Sequence, residues 1–490
     1  MDSFHIFVAK YKAIMIGRQL EKKTLQRALD RKTAQIVVVY GRRRVGKTFL
    51  INEFFNNSYA FKHTAVSPLE KGSASGQMRL QLAEFYYSMK TYGLKPDVQC
   101  PDNWVEAFHL LQELLDSKYD ESNQVLFIDE LPWMDTPRSG FVSAFEHFCN
   151  DWCSARKQVK LIVCGSATSW ICDEMLEGKG GLYNRVTSSI YVSPFTLREC
   201  EEFFREEGFR MDKYDIVQAY MAFGGIPYYL SQFREDLSVV QNIDNLLFDR
   251  DSILYDEFDK LFSSQFANPD CLKSIVAGIG SKRCGLTREE IISKIEKVSG
   301  GTFSKSIKAL EKSRLISSYK PFGEKKIKYR LSDPFCSFYL HYVKQNMKQK
   351  HFWQMHYNSP AMNSWLGYAF EEIVFYHIEQ VKSALGISGV CTNESAWSVE
   401  GTETQEGMQI DLVIERADRV VNICEIKFCN DEYSVTSAYA RKIQARMDYT
   451  SAFFKNKRSV STVLITTYGL KRNEYSSRFQ KVISLDDLFR

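Results

Sequence analysis

Residues 35–54 read QIVVVYGRRRVGKTFLINEF. The apolar, mostly β-branched run Ile36–Tyr40 suits a strand buried on both faces. It leads into Gly41-Arg42-Arg43-Arg44-Val45-Gly46-Lys47-Thr48, a G-x-x-x-x-G-K-[ST] loop. Apolar residues at helical spacing follow, from Phe49 to Phe55. A strand, a glycine loop and a helix in this order make a phosphate cradle. Gly41 and Gly46 allow backbone angles that a side chain would block, so main-chain N–H groups can face phosphate oxygens. A helix starting near Lys47 aims its positive dipole end at the same anion. Lys47 can reach β- and γ-phosphates, and the Thr48 hydroxyl can ligate Mg²⁺. The expected nucleotide-binding set is Gly41, Arg42, Arg43, Arg44, Val45, Gly46, Lys47, Thr48 and Phe49. A chance glycine turn would lack the flanking strand and helix.

The 490 residues suggest about three domains. A net charge of +4 excludes a polyanion binder acting by bulk charge, so a nucleic-acid surface must be local. Twelve cysteines are scattered and none forms a C-x-x-C pair. Cys149 and Cys153 lie four apart without a histidine pair to complete a zinc site. Reduced core cysteines of a cytoplasmic protein are expected. The first residues lack the pattern of a secretory leader, and no apolar run approaches 18 residues, so no membrane span is expected.

Before the first strand, Ile16-Gly17-Arg18-Gln19-Leu20-Glu21 opens a helix to about Asp30. A second strand is expected at 60–66, with helices at 77–92 and 103–117. Val125–Ile128 is a short apolar strand that ends in Asp129-Glu130. Asp129 can hold the Mg²⁺ shell, and Glu130 can polarise the water that attacks a γ-phosphate. Open α/β sheets gather ligands at the carboxyl ends of their strands, where this pair falls. Another buried strand, Lys160–Gly165, ends at Ser166. Gly181–Arg185 precedes a strand at 189–192.

Helices return from Leu197, are broken at Gly224-Gly225-Ile226-Pro227, and continue to Phe262. Helices at 272–279, 287–294 and 303–313, the last capped by Thr302, precede strands at 315–319 and 326–331. Three helices and a β-hairpin make a winged helix. Residues 301–330 hold nine Lys/Arg and two Glu, a local net of +7. Lys305, Lys308 and Lys312 are spaced for one helix face, and Lys325, Lys326 and Lys328 fall on the wing. This suits phosphate contacts and groove entry by DNA.

The last third carries a second constellation. Trp365–Val374 is a helix bearing Glu371 and Glu372. After a variable stretch, 407–415 and 419–428 read as a hairpin that turns at 416–418. Asp411 opens its first strand, while Glu425 and Lys427, two apart, share a face of the second. Asp411 and Glu425 are hard oxygen ligands that suit Mg²⁺. A bound metal lowers the pKa of its water. An acid followed by Glu-x-Lys one strand later resembles the PD-(D/E)XK nuclease core. That resemblance implies Asp411, Glu425 and the helical acid Glu371 as metal ligands and Lys427 as the catalytic cation, with Lys442 or Gln444 auxiliary. It departs from the pattern at Ile410, where the family has Pro.

The phosphate loop, the Asp129-Glu130 pair and the order of segments resemble an archaeal and bacterial family of AAA+-type P-loop ATPases with a winged helix and a C-terminal nuclease-like domain. The resemblance implies an α/β fold in four parts. These are a P-loop parallel-sheet ATPase core at 1–195, a helical lid at 196–270, a winged helix at 271–345 and a restriction-endonuclease-like α/β domain at 346–490. It also implies ATP and Mg²⁺ as cofactors, Ser166 (or Thr168) as the polar sensor of the γ-phosphate, and Arg185 as an arginine finger acting in cis or on a neighbouring subunit. DNA is the expected partner, with room for a homo-oligomer and for a protein partner.

Two functions compete. One is an ATPase that engages DNA and cuts it through the C-terminal site. The other is a slow ATP-driven signalling switch whose nuclease-like domain only binds. A small-molecule kinase is disfavoured by Glu130, which suits water activation.

Overall fold

The computed structural model describes residues 15–67, 73–120, 122–178, 181–266, 268–282, 285–295, 299–347, 349–399 and 407–490. The leader pattern sought in residues 1–14 lies outside them. The chain divides into two compact units. One runs to Pro194 and takes in Asp259–Pro269 and Ser304–Ser313; the other holds Phe195–Phe258, Asp270–Phe303 and Arg314–Arg490.

The first unit is a five-stranded parallel sheet. Its strands are β1 (Gln35–Tyr40), β2 (Phe61–Thr64), β3 (Gln124–Asp129), β4 (Val159–Gly165) and β5 (Ser188–Tyr191), in the spatial order β2-β3-β4-β1-β5. Val37, Val38 and Val39 are fully buried, because β1 is covered on both faces and paired on both edges. The connecting helices are α1 (Gln19–Asp30), α2 (Lys47–Phe54), α3 (Ala74–Thr91), α4 (Trp104–Asp116), α5 (Phe141–Phe148) and α6 (Thr168–Ile171). Phe85, Phe108, Phe141, Phe145, Phe148 and Trp104 fill one contiguous core beside the sheet, and Phe108 and Phe148 stack at 5.0 Å. α4 starts where it does because Asn103 Oδ1 accepts the Glu106 amide at 3.0 Å.

A run of helices follows: α7 (Leu197–Glu206), α8 (Lys213–Phe223), α9 (Pro227–Leu230), α10 (Val239–Leu247), α11 (Glu257–Gln265) and α12 (Pro269–Gly280). The break between α8 and α9 needs glycine. Gly224 and Gly225 take φ of 68° and 66°, and a Cβ on Gly225 would sit 2.4 Å from Phe195 O. Next come β6 (Leu286–Thr287), α13 (Arg288–Lys294), α14 (Gly300–Lys312), β7 (Ile316–Tyr319) and β8 (Lys328–Leu331). β6, β8 and β7 form a small antiparallel sheet in that order. α14 starts two residues before the expected Thr302 cap, and Ser299 Oγ accepts the Thr302 amide at 3.3 Å.

The rest of the second unit holds α15 (Pro334–Phe338), α16 (Lys344–Asn346), α17 (Phe352–Met355), α18 (Pro360–Tyr376) and α19 (Ile378–Leu385). Then come β9 (Thr392–Val399), β10 (Met408–Arg416), β11 (Val420–Lys427), α20 (Ser437–Phe453), β12 (Ser459–Thr466), β13 (Lys481–Ile483) and α21 (Leu485–Leu488). β9, β10 and β11 form an antiparallel meander; α20 then crosses over so that β12 joins β11 in parallel. The stretch expected to be variable therefore contains strand β9. The β9–β10 register shifts between Ile410 and Val413, so Asp411 and Leu412 together oppose the single residue Ala396. Asp411 thus sits at a bulge inside β10 and not at its start, and the bulge re-aims its side chain.

The wing turn is anchored at Phe322, while Lys325, Lys326 and Ile327 in the same turn are exposed. Phe322, between β7 and β8, is 9 % exposed and packs on Trp397, Phe453 and Phe454 with ring centroids at 4.8, 5.5 and 5.7 Å. Its amide donates to Ala396 O at 3.2 Å, opposite the β10 bulge. A hairpin held at its tip in this way is not poised to enter a DNA groove.

The helical run and the C-terminal domain are joined by buried polar contacts. The Asp244 carboxylate accepts the Trp353 and Gln354 amides, each at 2.9 Å, at the start of α17. His377 Nε2 accepts the Leu197 amide at 3.1 Å, and its Nδ1 lies 2.9 Å from Ile373 O. A backbone N–H can only donate, so Nε2 is unprotonated and the ring is neutral. Burial lowers the His377 pKa from 6.5 to about 4. The fold therefore favours the neutral ring, and this stabilisation is full above pH 6.5 and is lost as pH falls towards 4. Between pH 7 and 4.5 the wild type should lose about 2 kcal/mol more than His377→Asn, a difference readable in urea midpoints of the two proteins.

Candidate functional site

The phosphate loop leaves the carboxyl end of β1. Gly41 has φ 147°, and a Cβ there would meet Val192 O at 2.5 Å, so only glycine fits. Gly46 has φ 88° directly before α2, as an αL residue at a helix start requires. The buried Lys47 Nζ donates to Gly41 O at 3.1 Å and to Arg42 O at 3.0 Å. Its ammonium thus spans the mouth of the loop, where a phosphate would sit.

β3 and β4 bring the other groups to the same end of the sheet. Thr48 Oγ1 donates to Asp129 Oδ2 at 2.8 Å, so the two expected Mg²⁺ ligands already share a site. Both present hard oxygens of the kind Mg²⁺ takes, and the residues fit such an ion. Glu130 has φ 52°, a left-handed angle uncommon outside glycine, at the turn that leaves β3. Its Oε2 accepts both the Ser166 amide and the Ser166 hydroxyl, each at 2.9 Å. The expected contact of Ser166 is the γ-phosphate or its water; in the structure Ser166 holds the carboxylate that would act on that water. Thr168, the other candidate sensor, is buried with its amide on Ser166 O at 2.8 Å.

Arg42 is buried, while Arg43, Arg44 and Phe49 are partly exposed and Val45 is buried along the loop. Arg18 was missed as a site residue. It is buried at the start of α1, and its Nη2 donates to Val45 O at 3.2 Å, bracing the loop from the N-terminal segment. Arg185 does not join this network: it is exposed and donates through Nε to Asn150 Oδ1 at 2.7 Å.

The second constellation assembles around the ends of β10 and β11. Asp411 Oδ2 accepts the Ile426 amide at 3.0 Å and Lys427 Nζ at 3.2 Å. Lys427 Nζ also reaches Ile426 O at 3.0 Å and Glu425 Oε2 at 3.5 Å. Burial opposes the charge of Lys427, yet Asp411 and Glu425 raise its pKa overall. Burial, and after it the Asp411 charge, push the Glu371 carboxyl up to about 8, so Glu371 is in the same electrostatic neighbourhood. Two further residues come from α20, and neither belongs to a motif. Tyr439 donates its hydroxyl to Glu425 Oε2, and Arg446 pairs with Glu425 Oε1. Gln444 instead bonds Asp448 at 2.9 Å and accepts from Arg478 at 2.6 Å.

This cluster does not fit a divalent cation. Both Glu425 oxygens are engaged, and the two carboxylates Asp411 and Glu425 are matched by the two cations Lys427 and Arg446. Among the described residues, no group of three or more His, Cys, Asp or Glu side chains is placed to hold a metal.

The basic segment is partly spent on internal pairs. Lys312, on the helix face of Lys305 and Lys308, bridges Asp173 and Glu177, both at 2.7 Å, and so its charge is spent within the chain. Lys328 pairs with Glu324 at 2.9 Å, and Arg330 pairs with Glu372 at 3.2 Å. Lys305, Lys308, Lys320, Lys325 and Lys326 are exposed. No helix among the described residues is long and apolar enough to cross a membrane.

Residues 15–233 match the model of a family described as an ATPase domain predominantly from Archaea. The uncharacterized protein MJECL04 of Methanocaldococcus jannaschii is 25% identical over 371 residues, which are 74% of this chain and 76% of that protein. The uncharacterized ATP-binding protein MJ0423 of the same organism is 41% identical over 44 residues, 9% of this chain and 75% of that protein. Among solved structures, the Walker-type ATPase PABY2304 of Pyrococcus abyssi aligns with 67% of this chain and 96% of its own, at 17% identity and a TM-score of 0.45. The ORC2 protein of Aeropyrum pernix aligns with 69% of this chain and 96% of its own, at 11% identity and a TM-score of 0.40.

Proposed function

We propose, starting from the ATPase domain at residues 15–233, that the chain is an AAA+-type, Mg²⁺-dependent ATPase that works as a DNA-responsive switch. The observation that carries the reading is the convergence of Lys47, Thr48, Asp129, Glu130 and Ser166 at one end of a parallel sheet. Lys47 exchanges its two carbonyl partners for β- and γ-phosphate oxygens of ATP. Thr48 and Asp129 would hold Mg²⁺, which supplies charge neutralisation across the phosphates. Glu130 orients the attacking water and takes up its proton. Ser166 holds its Oε2, so this role falls to Oε1. Arg185, exposed and held on Asn150 outside this network, is assigned as an arginine finger for a neighbouring subunit.

For DNA, the support is the surplus charge of residues 301–330 and the exposure of Lys305, Lys308, Lys320, Lys325 and Lys326. The order of α12, β6, α13, α14, β7 and β8 is that of a winged helix. With Phe322 at the wing tip docked on Trp397, contact would fall to Lys305 and Lys308 of α14 and to the exposed lysines that flank Phe322 in the turn. The helix–meander–helix–strand order of α18, β9–β11, α20 and β12 supports a nuclease-like fold for the C-terminal part, and the closed cluster there favours binding over cutting.

The test is steady-state ATP turnover with Mg²⁺, with and without duplex DNA, alongside anisotropy of a labelled duplex. Lys305→Glu with Lys308→Glu should weaken duplex affinity about tenfold or more at moderate salt and flatten its salt dependence. Unchanged affinity would remove DNA from the reading and leave an ATPase with another partner.

A further inference from the structure

Each Glu425 oxygen that could coordinate a cation already has a partner from α20. Tyr439 and Arg446 are seven apart, two helical turns, and so share one face of that helix. The Tyr439 ring is close to both cations, with Lys427 Nζ at 5.6 Å and the Arg446 guanidinium at 5.8 Å from its centroid. Glu425 is 5 % exposed, so its charge needs a permanent partner, and a rigid guanidinium meets that need at close range.

A metal-ready carboxylate pair keeps uncompensated negative charge facing the ion. Here the formal charges of Asp411 and Glu425 are cancelled by those of Lys427 and Arg446. We propose that Arg446 stands in the place of a divalent cation, so that the resting C-terminal site excludes metal and opens to it only when the Arg446 guanidinium leaves Glu425. This rests on the nuclease-like reading of the domain. It makes α20 the closure, because the helix carries both residues that engage Glu425. Removal of Arg446 alone leaves two carboxylates facing a single ammonium, an excess of negative charge on hard oxygens that suits a divalent ion.

The probe is Mn²⁺, followed by loss of its free EPR signal on titration into the nucleotide-free full-length chain. The ATP site contributes equally in every variant, so only differences count. Wild type and Asp411→Asn should bind the same amount of Mn²⁺. Arg446→Met should bind one additional equivalent, and Arg446→Met with Asp411→Asn should lose it. An ion bound by wild type and lost in Asp411→Asn would overturn the proposed exclusion while leaving the nuclease-like reading in place. That comparison needs no change at Arg446, so it decides even if Arg446→Met fails to fold. A folded Arg446→Met that gains no Mn²⁺ would overturn both the exclusion and the metal-site reading beneath it.

Discussion

Glu130→Gln should abolish ATP turnover while nucleotide binding survives. The substitution keeps the size of the side chain and can keep one bond to Ser166, but the amide has no basic oxygen to take the proton of water. Loss of a positioned general base is worth on the order of 10²–10⁴-fold in rate. Binding should persist because Lys47 and the loop glycines, not Glu130, form the loop proposed to hold the phosphates. Steady-state phosphate release and equilibrium binding of a fluorescent ATP analogue read the two quantities separately. Residual turnover within a few-fold of wild type would mean that another group activates the water. Ser166→Ala gives the complementary measurement. It removes the hydroxyl bond to Glu130 Oε2 and keeps the one from the Ser166 amide, so any loss of rate there reports positioning and should be much smaller.

Phe322→Ala should destabilise the second unit by about 3 kcal/mol, the lower range for emptying a buried phenylalanine site. The ring fills a notch among Trp397, Phe453 and Phe454, and none of these can collapse into the space without breaking its own packing. Ile327 is on the same connection but 53 % exposed, and Ile327→Ala should change stability by less than about 0.5 kcal/mol. Urea unfolding followed by tryptophan fluorescence separates them. Equal effects of the two substitutions would mean that the wing is not docked in solution and is again available to a groove.

The parts legible in the sequence are those in which chemistry forces residue type at a fixed spacing. Gly41, Gly46, Lys47 and Thr48 cannot be exchanged without losing the cradle, so the loop announces itself. Asp129 and Glu130 follow a strand whose apolar run is unbroken, which makes the pair visible; that Asp129 meets Thr48 and Glu130 meets Ser166 is seen only in the structure. What stayed hidden depends on partners far along the chain. The spacing of Lys305, Lys308 and Lys312 defines one helix face, but nothing local says that Lys312 meets Asp173 and Glu177. Phe322 reads as a turn residue, and its burial is decided by Trp397 and Phe453. β6 has only two residues, too few for any periodicity, and β9 shows inward Ser395 and Trp397 among polar neighbours, which reads as loop. Arg446 and Tyr439 lie on a helix rich in polar residues, where no spacing separates a buried partner of Glu425 from a solvated side chain.

The neutral ring of His377 has a consequence for how such a chain can be recombined. The first amide of α7 finds its acceptor on a residue at the end of α18, and Asp244 on α10 caps a helix that begins beyond residue 350. A gene fusion or exon-like exchange cut near residue 345 would strand both groups, a buried N–H on one side and a buried carboxylate on the same fragment. Inheritance of these parts as a block, with the break close to Pro194, would strand neither. Helices α7 and α10 therefore travel with the C-terminal domain, and a chimera built at the apparent boundary by sequence would inherit half of each bond.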